Sequence, residues 1–453
     1  MIVCKFGGTS IGDAPAVRRL AGIVQSRLAE RPLVVLSALS GVTNALLGLL
    51  KHTAPSEQRT LAHQLAELVA RHRQLARALE LSEELGERIA DEGQQLLARL
   101  AARPDPAGAD ELCDFVAAQG ELWSTRLVAA ALAAANLESV WVDARSVMRT
   151  DAHFTRAAPD RAVLGDLAPR QFLPLLERGK VPVTQGYIGA TADGRTTTLG
   201  RGGSDYSAAL LAAALHAERV EIWTDVDGLM TADPRLVPAA RVLPVASHLE
   251  AAELAAFGAQ VLHPATQAPL VEARIPCVVL NSFAPERPGT TILAGVRPAP
   301  VGAGESPVRS ISCKRGITVL NVRSPASRGS TGFLRALFAI FEQHGIAVDV
   351  IATSEVNVSV SVEDSSRIEA LRQDLERLGD VSVFPHRAIV AVVGIGLRGI
   401  KGLAGRIFTA VQSVNVEVIS QGASEINVTF VVREEDAGEA VRRLHAALIE
   451  AVA

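Results

Sequence analysis

Three glycine-punctuated strings carry the residue types that phosphate and carboxylate chemistry needs. The first is Lys5-Phe6-Gly7-Gly8-Thr9-Ser10, where a short strand-like run, Ile2–Phe6, breaks into glycines before a helix-like stretch at Ala14–Ala29. Glycines let a backbone approach a phosphate closely, a helix N-terminus offers free N–H donors, and the lysine adds a point charge. The second string, Thr198-Leu199-Gly200-Arg201-Gly202-Gly203-Ser204-Asp205, repeats the device ahead of a helix expected over Tyr206–His216. It also carries a hydroxyl, a carboxylate and an arginine whose planar fork suits a bidentate grip on a carboxylate or phosphate. The third runs from Trp223-Thr224-Asp225-Val226-Asp227-Gly228 to Thr231-Ala232-Asp233-Pro234-Arg235, a strand end followed by a turn where open α/β sheets place ligands. Taken singly, each has a plainer explanation: a glycine turn beside a snorkelling lysine, or an Asx-type turn with solvated charges. Two glycine loops, each at a strand–helix junction, weigh more than either alone.

Other residues are less telling by themselves. Thr43-Asn44 follow a buried strand expected at Leu33–Leu36 and could cap a helix. Glu121, in Gln119-Gly120-Glu121-Leu122-Trp123, reads as a surface helical glutamate, and His263 beside Pro264 as structural. No spacing of His, Cys, Asp and Glu suits a metal site, so no protein-held metal is expected, and no Ser/His/Asp or Cys/His arrangement stands out.

Strands and helices must position these strings. The strand–helix–strand alternation at the start argues for an α/β fold with a mostly parallel sheet covered by helices. Residues from about Asn44 to Ala135 have apolar residues at helical spacing, with a break near Arg103–Ala109. Strands are expected again at Val140–Val142, Val181–Thr184, Arg219–Trp223 and Cys277–Leu280. Pro285–Pro307, dense in Pro and Gly, marks a domain boundary. Beyond it the chain repeats itself. Val348–Val362 and Val416–Val432 share Ser-Glu-[Val/Ile]-Asn-Val, about seventy residues apart, and helices are expected before each, at Gly332–Gln343 and Leu403–Ser413. Two ferredoxin-like modules follow from this, the first with strands expected at Ala347–Ile351 and Asn357–Val362. The second ends in a helix, Glu435–Ala451, without a last strand; an orphan strand at Val308–Ser312 could supply it, the first module then being inserted in the second.

Composition excludes several classes. At 453 residues the chain exceeds one ordinary domain, and 48% hydrophobic residues are enough for buried cores. A net charge of -4 without a basic run argues against nucleic acid as a partner. Cys4, Cys113, Cys277 and Cys313 lie far apart with no CxxC pair, as in reduced cytosolic proteins. The start, Met1–Gly8, has no long apolar core of a signal, and no run of about 18 apolar residues suggests a membrane span, so a cytoplasmic location is expected.

In order along the chain stand KFGGTS, SALSGVTN, QGELWST, TQGYIG, TTTLGRGGSDYSAALLA, WTDVDG, TADPR and FGAQVLHP. Together they resemble the aspartate kinases of the amino-acid kinase family, over nearly the whole chain. VMRTD and ATSEV look most like the monofunctional, lysine-sensitive type. The resemblance implies an amino-acid kinase fold over 1–290, a first ACT domain over 315–385, and a second built from 306–314 plus 386–453. It implies ATP-dependent phosphorylation of the L-aspartate side chain, with Mg²⁺ carried on the ATP phosphates. Lys5 would contact the transferring phosphate and Asp205 would orient it. Gly7, Gly8 and Ser10 would line the phosphate loop. Arg201 would clamp the substrate α-carboxylate, Glu121 its ammonium group, and Thr43 and Ser204 its β-carboxylate. Thr224, Asp225, Met230, Arg235 and Gln260 would belong to the nucleotide site. L-lysine would act at the first ACT domain through Ser330, Val348, Asp349, Thr353, Ser354 and Glu355, in a homodimer or a dimer of dimers.

Two positions depart from the family pattern. Met230 stands where a tyrosine is usual and Gln260 where a lysine is usual. They are the sole support for a different reading, an amino-acid sensor that keeps the kinase fold without catalysis. A kinase for another amino acid is opposed by the ACT pair and by KFGGTS combined with GRGGSD.

Overall fold

The computed structural model describes residues 1–51, 57–102, 108–258, 264–293, 306–324, 332–363 and 367–452. Two compact units divide the chain. Met1–Leu229, Pro244–His248 and Val261–Val296 form the first; Met230–Leu243, Leu249–Gln260 and Arg297–Ala453 form the second.

Among the described residues, ten strands belong to the first unit: β1 (Ile2–Phe6), β2 (Pro32–Leu36), β3 (Ser139–Val142), β4 (Val181–Gln185), β5 (Ile188–Ala190), β6 (Thr196–Thr198), β7 (Val220–Thr224), β8 (Val245–Ser247), β9 (Cys277–Asn281) and β10 (Thr290–Leu293). Eight of them form one sheet in the order β3-β4-β2-β1-β7-β9-β10-β8, and β5 with β6 makes a separate hairpin. From β3 to β9 every neighbour is parallel. β1, β2 and β4 bury all their residues, as strands covered on both faces must, which is why they read as near-continuous apolar runs. The covering helices are α1 (Ala14–Ser26), α2 (Val42–Leu49), α3 (Gln58–Ala78), α4 (Glu83–Ala102), α5 (Ala109–Ala134), α6 (Arg161–Glu177), α7 (Gly203–Ala214) and α9 (Pro264–Ala273), whereas α8 (His248–Ala256) belongs from Leu249 onward to the second unit. Ile2, Phe6, Val34, Leu36, Leu46, Trp123 and Leu132 share one core between sheet and helices. The residues of the expected break at Arg103–Ala109 are described only from Gly108 onward.

The second unit carries a six-stranded sheet in the order β12-β13-β11-β14-β16-β15. Its strands are β11 (Val308–Arg323), β12 (Ile351–Thr353), β13 (Asn357–Val362), β14 (Asp380–Gly394), β15 (Val418–Gln421) and β16 (Asn427–Arg433), with helices α10 (Phe333–His344), α11 (Ile368–Leu375), α12 (Leu403–Ala410) and α13 (Ala437–Leu448). One core gathers Leu320, Leu337, Phe341, Val360 and Leu371 under α10 and α11. Another gathers Ile311, Val390, Ile407, Phe430 and Leu444 under α12 and α13, and takes in Ala232 and Val237 from the Met230–Leu243 segment.

Two strand expectations need correction. Val308–Ser312 is not a separate strand but the start of β11, which pairs with β14 along its length. Register shifts between Lys314 and Val319 absorb Gly316, whose φ is 72°. Ala347–Val350 is not strand either. The Val350 N–H bonds to the Ser361 hydroxyl at 2.8 Å, while the Asp349 N–H donates to the Ser361 carbonyl and the Ser361 N–H to the Val350 carbonyl, both at 2.9 Å; Asp349 and Val350 thus both face Ser361, and regular pairing with β13 begins at Ile351.

Candidate active site

The ends of β1, β2, β4 and β7 bring the first-unit residues together. Lys5 lies in β1, between β2 and β7, and is 9% exposed. A lysine buried there needs a counter-charge. Asp205, in the first turn of α7, supplies it, with Nζ–Oδ1 at 2.5 Å. Past β1 the chain enters a 3₁₀ turn over Gly8–Ile11, with Gly7 at its N-terminus. The Gly7 N–H donates to the Trp223 carbonyl at 3.2 Å, and the Ser10 hydroxyl meets Ser282 Oγ at 2.8 Å. A Cβ on Gly7 would stand 3.7 Å from Lys5 Nζ, so this backbone lies against the lysine ammonium. Gly8 has no room for a side chain: a Cβ there would be 2.7 Å from the Ala38 carbonyl oxygen. The backbone is therefore pressed onto the turn after β2, as a loop that lets phosphate approach its N–H groups requires.

That same turn meets α5. A Cβ on Gly120 would stand 2.8 Å from the Ala38 Cβ, so the glycine lets the helix close in. Glu121 follows it. The side chain is buried, Oε1 accepts the Ala38 N–H at 3.3 Å, and Oε2 is buried without a partner among the described residues. Burial pushes its pKa up to about 8. The expectation of a surface glutamate is thus corrected: α5 packs between β2, β4 and other helices, and both faces of its middle are covered.

The second glycine loop ends at α7. Gly200 and Gly202 hold φ of 74° and 73°, and no side chain caps α7, which leaves first-turn N–H groups available to an anion. A Cβ on Gly186, just past β4, would stand 2.7 Å from Ser204 Cα. Arg201 is exposed, and no ion pair with a described residue holds it. Thr43 is the second residue of α2, whose N-cap is Gly41 at φ 80°; Thr43 and Asn44 are therefore inside the helix and do not cap it. At the end of β7, Thr224 Oγ1 lies 3.2 Å from the side chain of exposed Asp225.

Two supporting residues escaped the sequence reading. Asp114, fully buried in α5, accepts from Thr198 N, Thr198 Oγ1 and Thr155 N at 2.8, 2.6 and 2.9 Å, and so anchors the strand that leads into the second glycine loop. Its pKa is raised, chiefly by burial. Ser282 braces Ser10 and the Thr224 carbonyl. An acid inside the apolar run Leu112–Ala118 is the one signal that marked Asp114; nothing marked Ser282.

The remaining expected residues fall elsewhere. Met230 and Arg235 belong to the second unit. Arg235 is exposed and paired with Asp233 at 2.7 Å, which holds the Asp233 carboxyl below its ordinary range. Gln260, His263 and Ser330 lie outside the described residues. Thr353, Ser354 and Glu355 are exposed at the edge of the second unit's sheet, and Val348 is half-buried. Asp349 is already engaged, by Lys314 Nζ at 2.8 Å; the same ammonium reaches Glu363 at 3.1 Å.

Comparison with known proteins agrees with this geometry. Residues 1–281 match the model of the amino acid kinase family, and residues 390–448 match that of an ACT domain. The chain is 40% identical to lysine-sensitive aspartokinase 3 of Escherichia coli, with 99% of each chain covered. It is 32% identical to the aspartokinase of Schizosaccharomyces pombe, covering 100% of this chain and 93% of that one. The crystal structure of E. coli aspartokinase III in complex with aspartate and ADP superposes with a TM-score of 0.81 at 39% identity, covering 99% of both chains. The lysine and aspartate complex of that enzyme also gives 0.81, at 40% identity and 99% coverage of both. With a buried lysine–aspartate pair between two glycine loops at the ends of a parallel sheet, and with relatives matched from end to end, the chain belongs to the amino acid kinase family, among its aspartokinases.

Proposed function

We propose that the chain transfers a phosphoryl group from ATP to the side-chain carboxylate of L-aspartate, giving 4-phospho-L-aspartate, and that L-lysine inhibits it. The observation that carries the reading is the Lys5–Asp205 pair beside the cramped glycine backbone at Gly7 and Gly8. The unpartnered Glu121 oxygen supports an amino-acid acceptor, because a buried carboxylate with a free lone pair suits an ammonium group.

The chemistry asks for positioning more than for proton transfer. An aspartate side chain has a pKa near 3.9 and is already an anion at neutral pH, so no general base is needed. The obstacle is bringing that anion in line with a polyanion. Lys5 and the backbone N–H groups of Gly8 and Thr9 would hold the transferring phosphate, the Gly7 and Ser10 N–H groups being bonded to backbone carbonyls, and Asp205 would keep the ammonium aimed at it. Arg201 would take the α-carboxylate, Glu121 the ammonium, and Thr43 with Ser204 the β-carboxylate. Thr224 and Asp225 would contribute to the nucleotide site. Mg²⁺, carried on the phosphates, supplies further charge neutralisation when bound. Among the described residues no group of three or more His, Cys, Asp or Glu is placed to hold an ion by itself.

Purified protein with MgATP and L-aspartate is expected to form an acyl phosphate that hydroxylamine traps, and added L-lysine is expected to suppress it. Product with L-glutamate but none with L-aspartate would sink the reading. Gly8→Ala offers a second check. Its methyl group must push against the Ala38 carbonyl, so the loop opens and the KM for ATP should rise at least about tenfold. A KM for ATP equal to wild type would show that the loop does not meet nucleotide.

A further inference from the structure

The repeated motif sits alike in both halves of the second unit. Asn357 opens β13 in the first copy, and Asn427 opens β16 in the second. In the first copy Ser354 stays within its own turn, its Oγ accepting the Asn357 N–H at 3.2 Å. In the second copy Ser424 Oγ likewise accepts a turn N–H, that of Ile426 at 3.2 Å, but it and Asn427 also reach outward. Ser424 Oγ donates to Glu253 Oε1 at 3.3 Å, and Asn427 Nδ2 donates to Glu253 Oε2 at 2.5 Å. Both carboxylate oxygens of one residue are thus gripped by the two side chains whose first-copy counterparts hold no such partner among the described residues.

Glu253 belongs to the segment Leu249–Gln260, which leaves the first unit after His248 and returns to it at Val261. Met230–Leu243 makes a like excursion, between Leu229 and Pro244. Both are embedded among second-unit residues. Phe257 O accepts from Ser312 Oγ at 2.6 Å, and a Cβ on Gly258 would be 2.5 Å from the Cys313 carbonyl oxygen. On the other excursion, Thr231 Oγ1 meets Nε2 of fully buried His445 at 2.9 Å, while His445 Nδ1 meets Glu450 at 2.7 Å. The Ile311 N–H donates to the Thr231 carbonyl at 2.8 Å, and Ser310 Oγ to that of Met230 at 2.8 Å. Only a few residues of chain separate Met230 from Thr224 and Asp225 at the end of β7. Met230, itself expected at the nucleotide site, opens this excursion.

We propose that the second copy of the repeat is a carboxylate site filled from within by Glu253, and that this clasp seats the two excursions and thereby sets the chain's affinity for ATP and its response to effector. Glu253, Ser424 and Asn427 are positioning residues; none is assigned to the reacting groups. The proposal rests on the kinase reading above.

Asn427→Asp tests it without opening a cavity, because it sets a second carboxylate against Glu253. A lost charge-assisted hydrogen bond to a half-buried carboxylate corresponds to roughly tenfold in an equilibrium. In the full-length enzyme we expect the KM for ATP to rise about tenfold, kcat at saturating ATP and aspartate to stay within about threefold, and the concentration of L-lysine giving half inhibition to shift by about tenfold. Hydrogen exchange of the amides in 249–258 should quicken. The double variant Glu253→Gln with Asn427→Asp exchanges donor and acceptor and should restore the KM for ATP, the lysine response and the exchange rate. A KM for ATP and a lysine response within twofold of wild type in Asn427→Asp would overturn the proposal, as would failure of the double variant to recover. An active wild type with unmoved variants rejects the clasp alone, whereas a wild type that makes no acyl phosphate rejects the kinase reading and the clasp together.

Discussion

Replacing Lys5 with methionine is expected to lower kcat for acyl-phosphate formation by about 10²–10³-fold, with the KM for aspartate changed much less. The lysine sits in a central strand whose every residue is buried, and its ammonium is held 2.5 Å from Asp205. Charge placed there costs nothing to reorganise at the moment of transfer, and low local dielectric strengthens its pull on developing negative charge. Methionine keeps the length and the apolar stem, so β1 keeps its packing against β2 and β7. What remains is Asp205 without its partner, and that carboxylate alone would repel phosphate. Asp205→Asn should therefore be the milder change, since it loosens the lysine without removing it. The measurement is kcat by ADP release and by hydroxamate formation, with thermal melts run alongside to establish that each variant is folded. A Lys5→Met protein with near-native kcat would show that another group stabilises the transferring phosphate.

The parts of this site that could be read from the sequence are those whose residue type is itself unusual for its place. Lysine at the end of an apolar strand, and glycines packed two and three at a time before a helix, violate ordinary burial and propensity rules, and such violations point to sites. Lys5, Gly7, Gly8 and the Gly200–Asp205 loop were legible for that reason. Glu121 was not, because a glutamate in a long helix is unremarkable by type. Its meaning comes from Gly120 and Ala38, which let α5 close over the turn after β2 and deny the carboxylate water. Ser282 was silent because it acts on a residue far away in the chain, Ser10; Asp114 stood out only as an acid in an apolar run, and its partner Thr198 is as distant. In the second unit the repeat located β13, yet the strand expected from Ala347 was placed too early, because Asp349 and Val350 both face Ser361 and the pairing is irregular before Ile351. The repeat was visible, but that its second copy holds a carboxylate from Glu253 was not, since nothing in the spacing of residues 253 and 424 joins them. The resemblance to aspartate kinases carried the family, and matches along the full chain bear it out.

Glu121→Gln should raise the KM for L-aspartate by about 10²–10³-fold, because removing one member of a buried ion pair typically costs about 3–5 kcal/mol and each 1.4 kcal/mol is tenfold. The effect should also depend on pH in a way a surface glutamate could not produce. Burial lifts the Glu121 pKa to about 8 in the ligand-free protein, so near neutral pH the group carries a proton. An ammonium group needs the anion. Binding of aspartate must then expel that proton, and affinity should climb as pH rises through about 8 and level off above it. Stability of the free protein runs the other way. The unfolded chain releases this proton near the ordinary glutamate value of 4.5, the folded chain near 8. The stabilising contribution of the protonated form is therefore fully present below about 4.5 and is lost as pH rises through about 8. Glutamine, neutral at every pH, should flatten both profiles and make the free protein less sensitive to alkaline pH. Titration calorimetry in two buffers of different ionisation enthalpy, at about pH 7 and pH 9, should detect close to one proton released on aspartate binding at the lower pH and almost none at the higher. Wild-type affinity for aspartate that is flat from about pH 6.5 to 9 would mean that the Glu121 carboxylate is already ionised before substrate arrives. A variant KM within about threefold of wild type would move the ammonium site away from Glu121 altogether.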